Sequence, residues 1–161
     1  MKRLTLTLFL LIAATSFGDS KKSSKHRMEV LPAKKIAGIK KLPCTFLHVW
    51  ATWCTICIQE LPSMLQTLAG MRGVNPVILD VSAVFVQENF SKKWMANLAP
   101  PFTTYLKPDG GDEAYLKAID ANWSGALPYN ALYHKGKLIK TWIGELDQKK
   151  MVAEIATLCA K

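Results

Sequence analysis

The sequence has few of the residues that are typical of disordered proteins, fibrous proteins or domains stabilised by structural zinc. Eight prolines and nine glycines occur among 161 residues, half of them hydrophobic, which excludes collagen-like and low-complexity classes and predicts one packed domain. The three histidines, His26, His48 and His134, are scattered, and one pair of the four cysteines is close in sequence. Because a structural zinc normally takes four ligands, no metal site is predicted, and no other cofactor is expected.

An apolar run long enough for an ordinary transmembrane helix is missing as well. The apolar stretch at 4–17 follows Lys2 and Arg3 and precedes small residues, which is the pattern of a signal peptide over residues 1–18. An uncleaved N-terminal anchor is the alternative. We therefore expect export to a periplasmic or other extracytoplasmic compartment, where disulfide bonds persist.

The main part of the chain also lacks a charge excess of either sign. The formal net charge is +9, but residues 1–41 hold ten Lys and Arg against two acids, and residues 42–161 hold eleven against ten. We interpret the Ser- and Lys-rich segment 19–41 as a solvated linker, with a weak tether to anionic lipid as the alternative. The near-neutral domain at 42–161 argues against nucleic-acid binding, and we expect it to be a monomer.

Apolar periodicity predicts strands that alternate with helices. The predicted elements are, in chain order, a buried strand at 44–50, a helix from the close cysteine pair to Gly70 or Gly73, a strand at 76–86, a helix at 88–98, an extended piece at 102–106, a helix at 113–121, a hairpin at 129–144 and a final helix N-capped by Asp147. This order predicts an α/β fold with a central mixed β-sheet flanked by helices.

Cys54 and Cys57 open the first helix after the buried strand. Unpaired N–H groups and the positive end of the helix dipole stabilise a thiolate at this position. We interpret Cys54 as a nucleophile that forms a mixed disulfide and Cys57, one turn along, as the thiol that resolves it; the reverse steps oxidise a dithiol. A purely structural bond is disfavoured because so short a loop removes little unfolded-state entropy.

The other two cysteines and the nearby tryptophans have more than one interpretation. Cys44 and Cys159 are expected to be small buried hydrophobic side chains, with a disulfide between them as the alternative. For Trp50 and Trp53, core packing and substrate contact both stay open.

The stretch 50–57, WATWCTIC, resembles the Trp-x-x-Trp-Cys-x-x-Cys signature of the exported TlpA/ResA-like thiol-disulfide oxidoreductases of the thioredoxin superfamily. QELP, at 59–62, continues that signature, and GALPYNALYHKGKLIKTWIG, at 125–144, is similar to the family's cis-proline segment and hairpin. The similarity runs from about residue 40 to the end and is vague at 82–122. It implies a thioredoxin-like fold and a protein-disulfide reductase.

The resemblance also assigns residues and partners. Cys54 is the nucleophile, Cys57 the resolving thiol, and Leu127–Pro128 a cis peptide bond beside them, whose backbone would pair with an extended substrate near Trp53. Without the resemblance, Pro128 is a turn proline. The implied partners are exported proteins with disulfides or dithiols, such as apocytochrome c during cytochrome c maturation, and a membrane thiol that supplies electrons.

Two further residues are candidates for proton transfer. Glu60, three residues after Cys57, shares its helix face, and partial desolvation should raise its pKa so that it accepts the Cys57 proton; a surface glutamate is the alternative. His48 departs from the family, which commonly has a buried acid or an uncharged polar residue there. It either relays a proton with Glu60 or is a hydrogen-bonded core histidine.

Two other functions remain as alternatives. A thiol peroxidase would hold one cysteine with Thr and Arg, but beyond the predicted signal peptide the chain has only Arg27 and Arg72, neither near Cys54 in sequence. A Cu(I) carrier would use Cys54, Cys57 and a histidine such as His134.

Overall fold

The computed structural model describes residues 26–160, so the predicted signal peptide at 1–18 lies outside the described residues. Within them, no helix combines the length and apolar character needed to cross a bilayer. The strands are β1 (Met28–Val30), β2 (Thr45–Trp50), β3 (Asn75–Asp80), β4 (Thr104–Leu106), β5 (Tyr129–His134) and β6 (Lys137–Ile143). The helices are α1 (Ala33–Lys40), α2 (Thr55–Gly70), α3 (Val84–Val86), which continues through a π-helical turn (Gln87–Ser91) into α4 (Lys92–Leu98), α5 (Asp112–Ile119) and α6 (Gln148–Cys159).

The six strands form one sheet in the order β1-β4-β3-β2-β5-β6. Strands β1 to β4 pair in parallel, whereas β5 is antiparallel to β2 and β6 is antiparallel to β5. The predicted α/β fold with a central mixed sheet flanked by helices is therefore confirmed, as is the closing hairpin.

The central strand β2 is buried along its whole length because helices cover both faces of the sheet. Phe46 and Trp50 pack in the core that contains α2 and α6, while Leu47 and Val49 pack in the core that contains α5. Successive side chains of a strand point to opposite faces. A strand covered on both sides therefore needs the continuous apolar run that predicted it.

Helix α2 runs from just after Cys54 to Gly70, as predicted. Its buried side chains recur every three or four residues and form one stripe against the sheet: Cys57, Leu61, Met64, Leu65 and Leu68. Pro62 lies inside the helix, which continues through it. The stripe fixes how α2 is rotated and so turns Cys57 inward.

The predicted strand at 76–86 is too long at its C-terminal end. Strand β3 stops at Asp80, and residues 84–98 are helical. The backbone N–H of Ser82 donates to Oδ1 of Asp80 (2.7 Å), which closes a turn. The acid in an otherwise apolar run therefore ends the strand.

The predicted solvated linker at 19–41 is wrong for its second half. Residues 28–30 form β1 at the edge of the sheet, and residues 33–40 form α1. Leu31 and Ile36 are 3% and 4% exposed and pack with β2, β3 and α5. The five Lys and Arg residues at 26–41 made this segment resemble a solvated linker, although its apolar residues anchor it to the sheet.

Cys44 and Cys159 form a disulfide bond (S–S 2.06 Å), so the expectation of two free buried thiols is wrong. Cys44 lies directly before β2, and Cys159 is the last residue of α6. Both belong to the core on the α2 side of the sheet, which brings together residues 115 positions apart.

Candidate active site

Cys54 is the N-cap of α2, and its Sγ accepts a hydrogen bond from the backbone N–H of Cys57 (3.3 Å). The two cysteines are joined as a disulfide, with their Cα atoms 5.2 Å apart. Cys54 keeps 8% of its surface exposed, and Cys57 keeps none. Cys54 is therefore the cysteine that a second molecule can reach.

The position of Cys54 favours a thiolate once the bond is reduced. The first N–H groups of a helix have no partner within the helix, and the aligned peptide dipoles place partial positive charge there. The N–H of Cys57 already points at this sulfur. Charge at Cys54 Sγ is thus stabilised by α2 itself.

The peptide bond Leu127–Pro128 is cis and immediately precedes β5. Tyr129 pairs with Val49 near the end of β2, so Pro128 lies at the edge of the sheet where the chain leaves β2 for the cysteines. Leu127 contacts both cores, and the carbonyl of Pro128 accepts from Gly144 N–H (3.0 Å). The structure therefore brings the predicted proline segment to the cysteine end of the sheet.

Glu60 lies one turn beyond Cys57 and is partly buried. Burial raises the pKa of its carboxyl to about 7; the backbone of Leu146 lowers this pKa and the charge of Glu145 raises it. Neither carboxylate oxygen has a hydrogen-bond partner that meets normal distance and angle limits. The group adjoins a surface cleft of about 310 Å³, lined by Ile56, Gln59, Glu60, Ser63, Glu145, Leu146 and Gln148.

His48 is fully buried in β2 and lies opposite Asn130 of β5. Its Nδ1–H donates to Oδ1 of Asn130 (2.7 Å), and its Nε2 has no partner. Burial lowers the pKa of His48 to about 4, although the bond to Asn130 raises it somewhat. A neutral, hydrogen-bonded core histidine is the arrangement observed; a relay to Glu60 stays a prediction.

The two tryptophans of the signature differ. Trp50 is fully buried, and its ring meets Trp94 edge-on with centroids 5.4 Å apart. Trp53, directly before Cys54, is 68% exposed. Core packing therefore accounts for Trp50, whereas Trp53 is free to contact a second molecule.

Sequence reasoning missed a polar chain that holds the cysteine loop. Ser82 Oγ accepts from the backbone N–H of Thr52 (2.9 Å) and donates to its Oγ1 (3.2 Å), while Ser82 N–H binds Asp80. Asp80 is fully buried, and burial raises its pKa. The available signal was an acid within the apolar run at 76–86.

The geometry does not assemble either alternative site. Arg27 pairs with Glu29 in β1, and Arg72 lies just beyond the C-terminal end of α2, the end opposite Cys54. His134 ends β5, at the sheet edge away from Pro128. Residues 26–160 contain no cluster of three or more His, Cys, Asp or Glu side chains that could hold a metal ion.

Comparison with known proteins gives one curated relative and many similar structures. No family model matches the chain. It is 31% identical over 103 residues to the thiol:disulfide interchange protein DsbE of Pasteurella multocida (strain Pm70), covering 64% of this chain and 52% of the relative. The chain thus spans about half the length of that relative.

Two solved structures illustrate the common fold. A candidate thioredoxin from Neisseria meningitidis is 25% identical with a TM-score of 0.57, covering 74% of this chain and 77% of that one. A secreted disulfide oxidoreductase from Mycobacterium tuberculosis is 22% identical with a TM-score of 0.55, covering 75% and 85%. At 22% identity, the similarity to the Mycobacterium tuberculosis protein shows a shared fold and nothing more.

Proposed function

We propose that this chain, a thioredoxin-superfamily protein by its fold, is an exported thiol-disulfide oxidoreductase that reduces protein disulfides through Cys54 and Cys57. One observation carries the proposal: the more accessible cysteine caps the N-terminus of α2 and is bonded to a fully buried cysteine one turn along. The likeness to a thiol:disulfide interchange protein supports it.

The reductive cycle has two exchange steps. The Cys54 thiolate attacks a substrate disulfide, forming a bond to one substrate sulfur while the other leaves as a thiolate. The Cys57 thiolate then attacks Cys54, and the first substrate sulfur leaves. Two electrons have passed to the substrate, each substrate thiolate takes up a proton, and an external dithiol must reduce the Cys54–Cys57 bond again.

In this cycle Glu60 accepts the Cys57 proton before the second step. Its position one turn after Cys57, its burial and a pKa of about 7 support that role, since a base with a pKa near the working pH transfers protons efficiently. The backbone beside Pro128 holds the substrate chain in an extended form. Trp53 covers the substrate on the exposed side.

The setting follows from the same resemblance. The substrates are exported polypeptides, for which apocytochrome c is the family example, and a membrane thiol donor supplies electrons. The protein acts as a monomer in an extracytoplasmic compartment. Among the similar structures are a secreted oxidoreductase and an exposed lipoprotein thioredoxin from Streptococcus pneumoniae, which accords with that location.

Reduction of insulin disulfides by the reduced protein, in a single turnover, tests the activity. Cys54→Ser should fall to the rate without protein, and Cys57→Ser should accumulate a mixed disulfide visible by mass spectrometry. The matched control, Cys44→Ser with Cys159→Ser, removes the other disulfide and should stay active. A Cys54→Ser variant as fast as wild type contradicts the proposal.

A separate measurement tests the direction of electron transfer between the cysteine pair and its substrate. Equilibration with glutathione gives the reduction potential of the Cys54–Cys57 pair. A value near that of thioredoxin, about −270 mV, supports a reductase, and one near about −120 mV reverses the assignment.

A further inference from the structure

We propose that residues 82–91 and Trp53 form a docking surface for an extended polypeptide that carries large apolar side chains close to its reactive disulfide. We call residues 82–91 the apolar lobe. The inference rests on the proposed function and names the substrate class that the same site prefers.

The apolar lobe presents large hydrophobic side chains to solvent. Phe85 is 78% exposed, Phe90 is 45% exposed and Val84 is 36% exposed. The one charged residue in the lobe, Glu88, is paired with Lys92 on the next turn. Three large apolar side chains exposed within the seven residues 84–90, without free charge, are typical of a surface that binds another molecule.

The lobe begins directly beside the cysteine loop. Val81 N–H donates to the carbonyl of Trp50 (2.9 Å), and the Ser82 hydroxyl bonds the backbone and side chain of Thr52. Thr52 lies two residues before Cys54. A chain that reaches Cys54 past Trp53 therefore passes the lobe within a few residues, since an extended chain advances about 3.3 Å per residue.

The exposed side chains project from a well-packed base. The Gln87 side chain is 2% exposed and donates to three backbone carbonyls, those of Asp80, Ser82 and Lys107. Ser91 is fully buried. Because the base is fixed by burial and hydrogen bonds, the backbone that carries the exposed side chains is already ordered, which lowers the entropic cost of binding.

The chemistry of the neighbouring sulfur identifies the occupant. A mixed disulfide between Cys54 and a polypeptide brings the polypeptide's cysteine to bonding distance, so the residues that flank that cysteine must cross this surface. The lobe has no unpaired charge to attract an acidic or basic segment. The substrate that suits the lobe is therefore a polypeptide with large apolar side chains next to its reactive cysteine.

Two matched peptides test the inference. Each contains a Cys-x-x-Cys disulfide; one has Phe and Leu on both sides, and the other has Ser at those positions. Wild type should reduce the apolar peptide with kcat/KM about tenfold higher, as expected for partial burial of one or two large side chains. Phe85→Ser should remove most of that preference, and Phe85→Leu should keep it.

Two controls separate docking from chemistry. Leu138→Ser changes another exposed apolar residue, 42% exposed, that pairs with Tyr133 at the opposite end of the sheet, and it should leave the preference intact. Glutathione disulfide reports the exchange chemistry alone, and Phe85→Ser should react with it at the wild-type rate.

Other outcomes overturn the inference. They are equal rates for the two peptides with wild type, an equal loss with Phe85→Ser for both peptides and glutathione disulfide, or a change in Phe85→Ser confined to self-association measured by sedimentation. The last result would assign the lobe to a second copy of the chain. Wild type that reacts with no disulfide, glutathione included, would overturn the proposed function as well.

Discussion

His48 and Asn130 face each other across β2 and β5 and are joined by a buried 2.7 Å hydrogen bond beneath the cysteine helix. The Oδ1 of Asn130 can only accept, so Nδ1 of His48 carries a proton. Burial lowers the pKa of His48 to about 4, so near neutral pH the imidazole is uncharged and its Nε2 has no proton. The side chains of β2 alternate, which places His48 on the same face as Phe46 and Trp50, toward α2. A polar pair in this position makes the core sensitive to acid.

We expect the free energy of unfolding to decrease as the pH falls from 6.5 to 4, because of the buried His48. Burial lowers the pKa of His48 to about 4, so in this window the unfolded chain binds a proton that the folded chain excludes. Urea unfolding should show wild type losing about 2 to 3 kcal/mol more between pH 7 and pH 4.5 than His48→Leu with Asn130→Leu. Equal losses in both proteins would contradict this.

Glu60→Gln should slow resolution of the mixed disulfide about 10- to 100-fold at pH 8. The wild-type rate should rise as pH passes through about 7, where the Glu60 carboxyl loses its proton and becomes a base, and the variant should lack that rise. Stopped-flow kinetics of the second exchange step measure both effects. Alkylation of Cys54 should be unchanged, and a variant that keeps the pH dependence would exclude Glu60 as the base.

Glu145→Gln should move that pH dependence to lower pH. The charge of Glu145 raises the pKa of Glu60, so its removal lets Glu60 ionise in more acidic solution. The midpoint of the resolution rate against pH gives the shift directly. A midpoint that stays in place, or that moves upward, would show that Glu145 does not act on this carboxyl.

Replacing both Cys44 and Cys159 by Ser should lower the free energy of unfolding by about 2 to 5 kcal/mol. The bond closes a loop between residues 115 positions apart, and long loops gain the most from such a link. Urea titration checks the loss. Cys54→Ser with Cys57→Ser, which removes a short loop, should cost less; an equal cost would contradict the loop-length argument.

Local patterns predicted the parts of the fold that depend on neighbouring residues. The apolar run of β2, the periodic stripe of α2 and the two-residue turn of the last hairpin each need only a short window of sequence. The placement of the cysteine pair and Glu60 on one helix could be predicted for the same reason, since their spacing is visible in the chain itself; the role of Glu60 stays a prediction.

The remaining features depend on contacts between distant residues. Asn130 becomes the partner of His48 only through the register of β2 and β5, and Cys44 meets Cys159 only because α6 returns to the start of β2. Helix α1 was not predicted because Ile36 is its only buried residue, and the neighbouring lysines, which face away from the core, gave the segment a polar character. The apolar lobe lies where the family resemblance was vague, so its exposed aromatic side chains required the three-dimensional arrangement.

The bond between Cys44 and Cys159 also determines how the molecule would respond to a pulling force. Tension applied at residues 26 and 160 would pass directly from Cys44 to Cys159 through the disulfide bond. The strands that lie between these two cysteines in the chain would bear no load. Only β1 and α1, which precede Cys44, would be drawn out, while the ring that contains Cys54 and Cys57 would stay closed. The redox pair is thus mechanically isolated from the N-terminal segment of the chain.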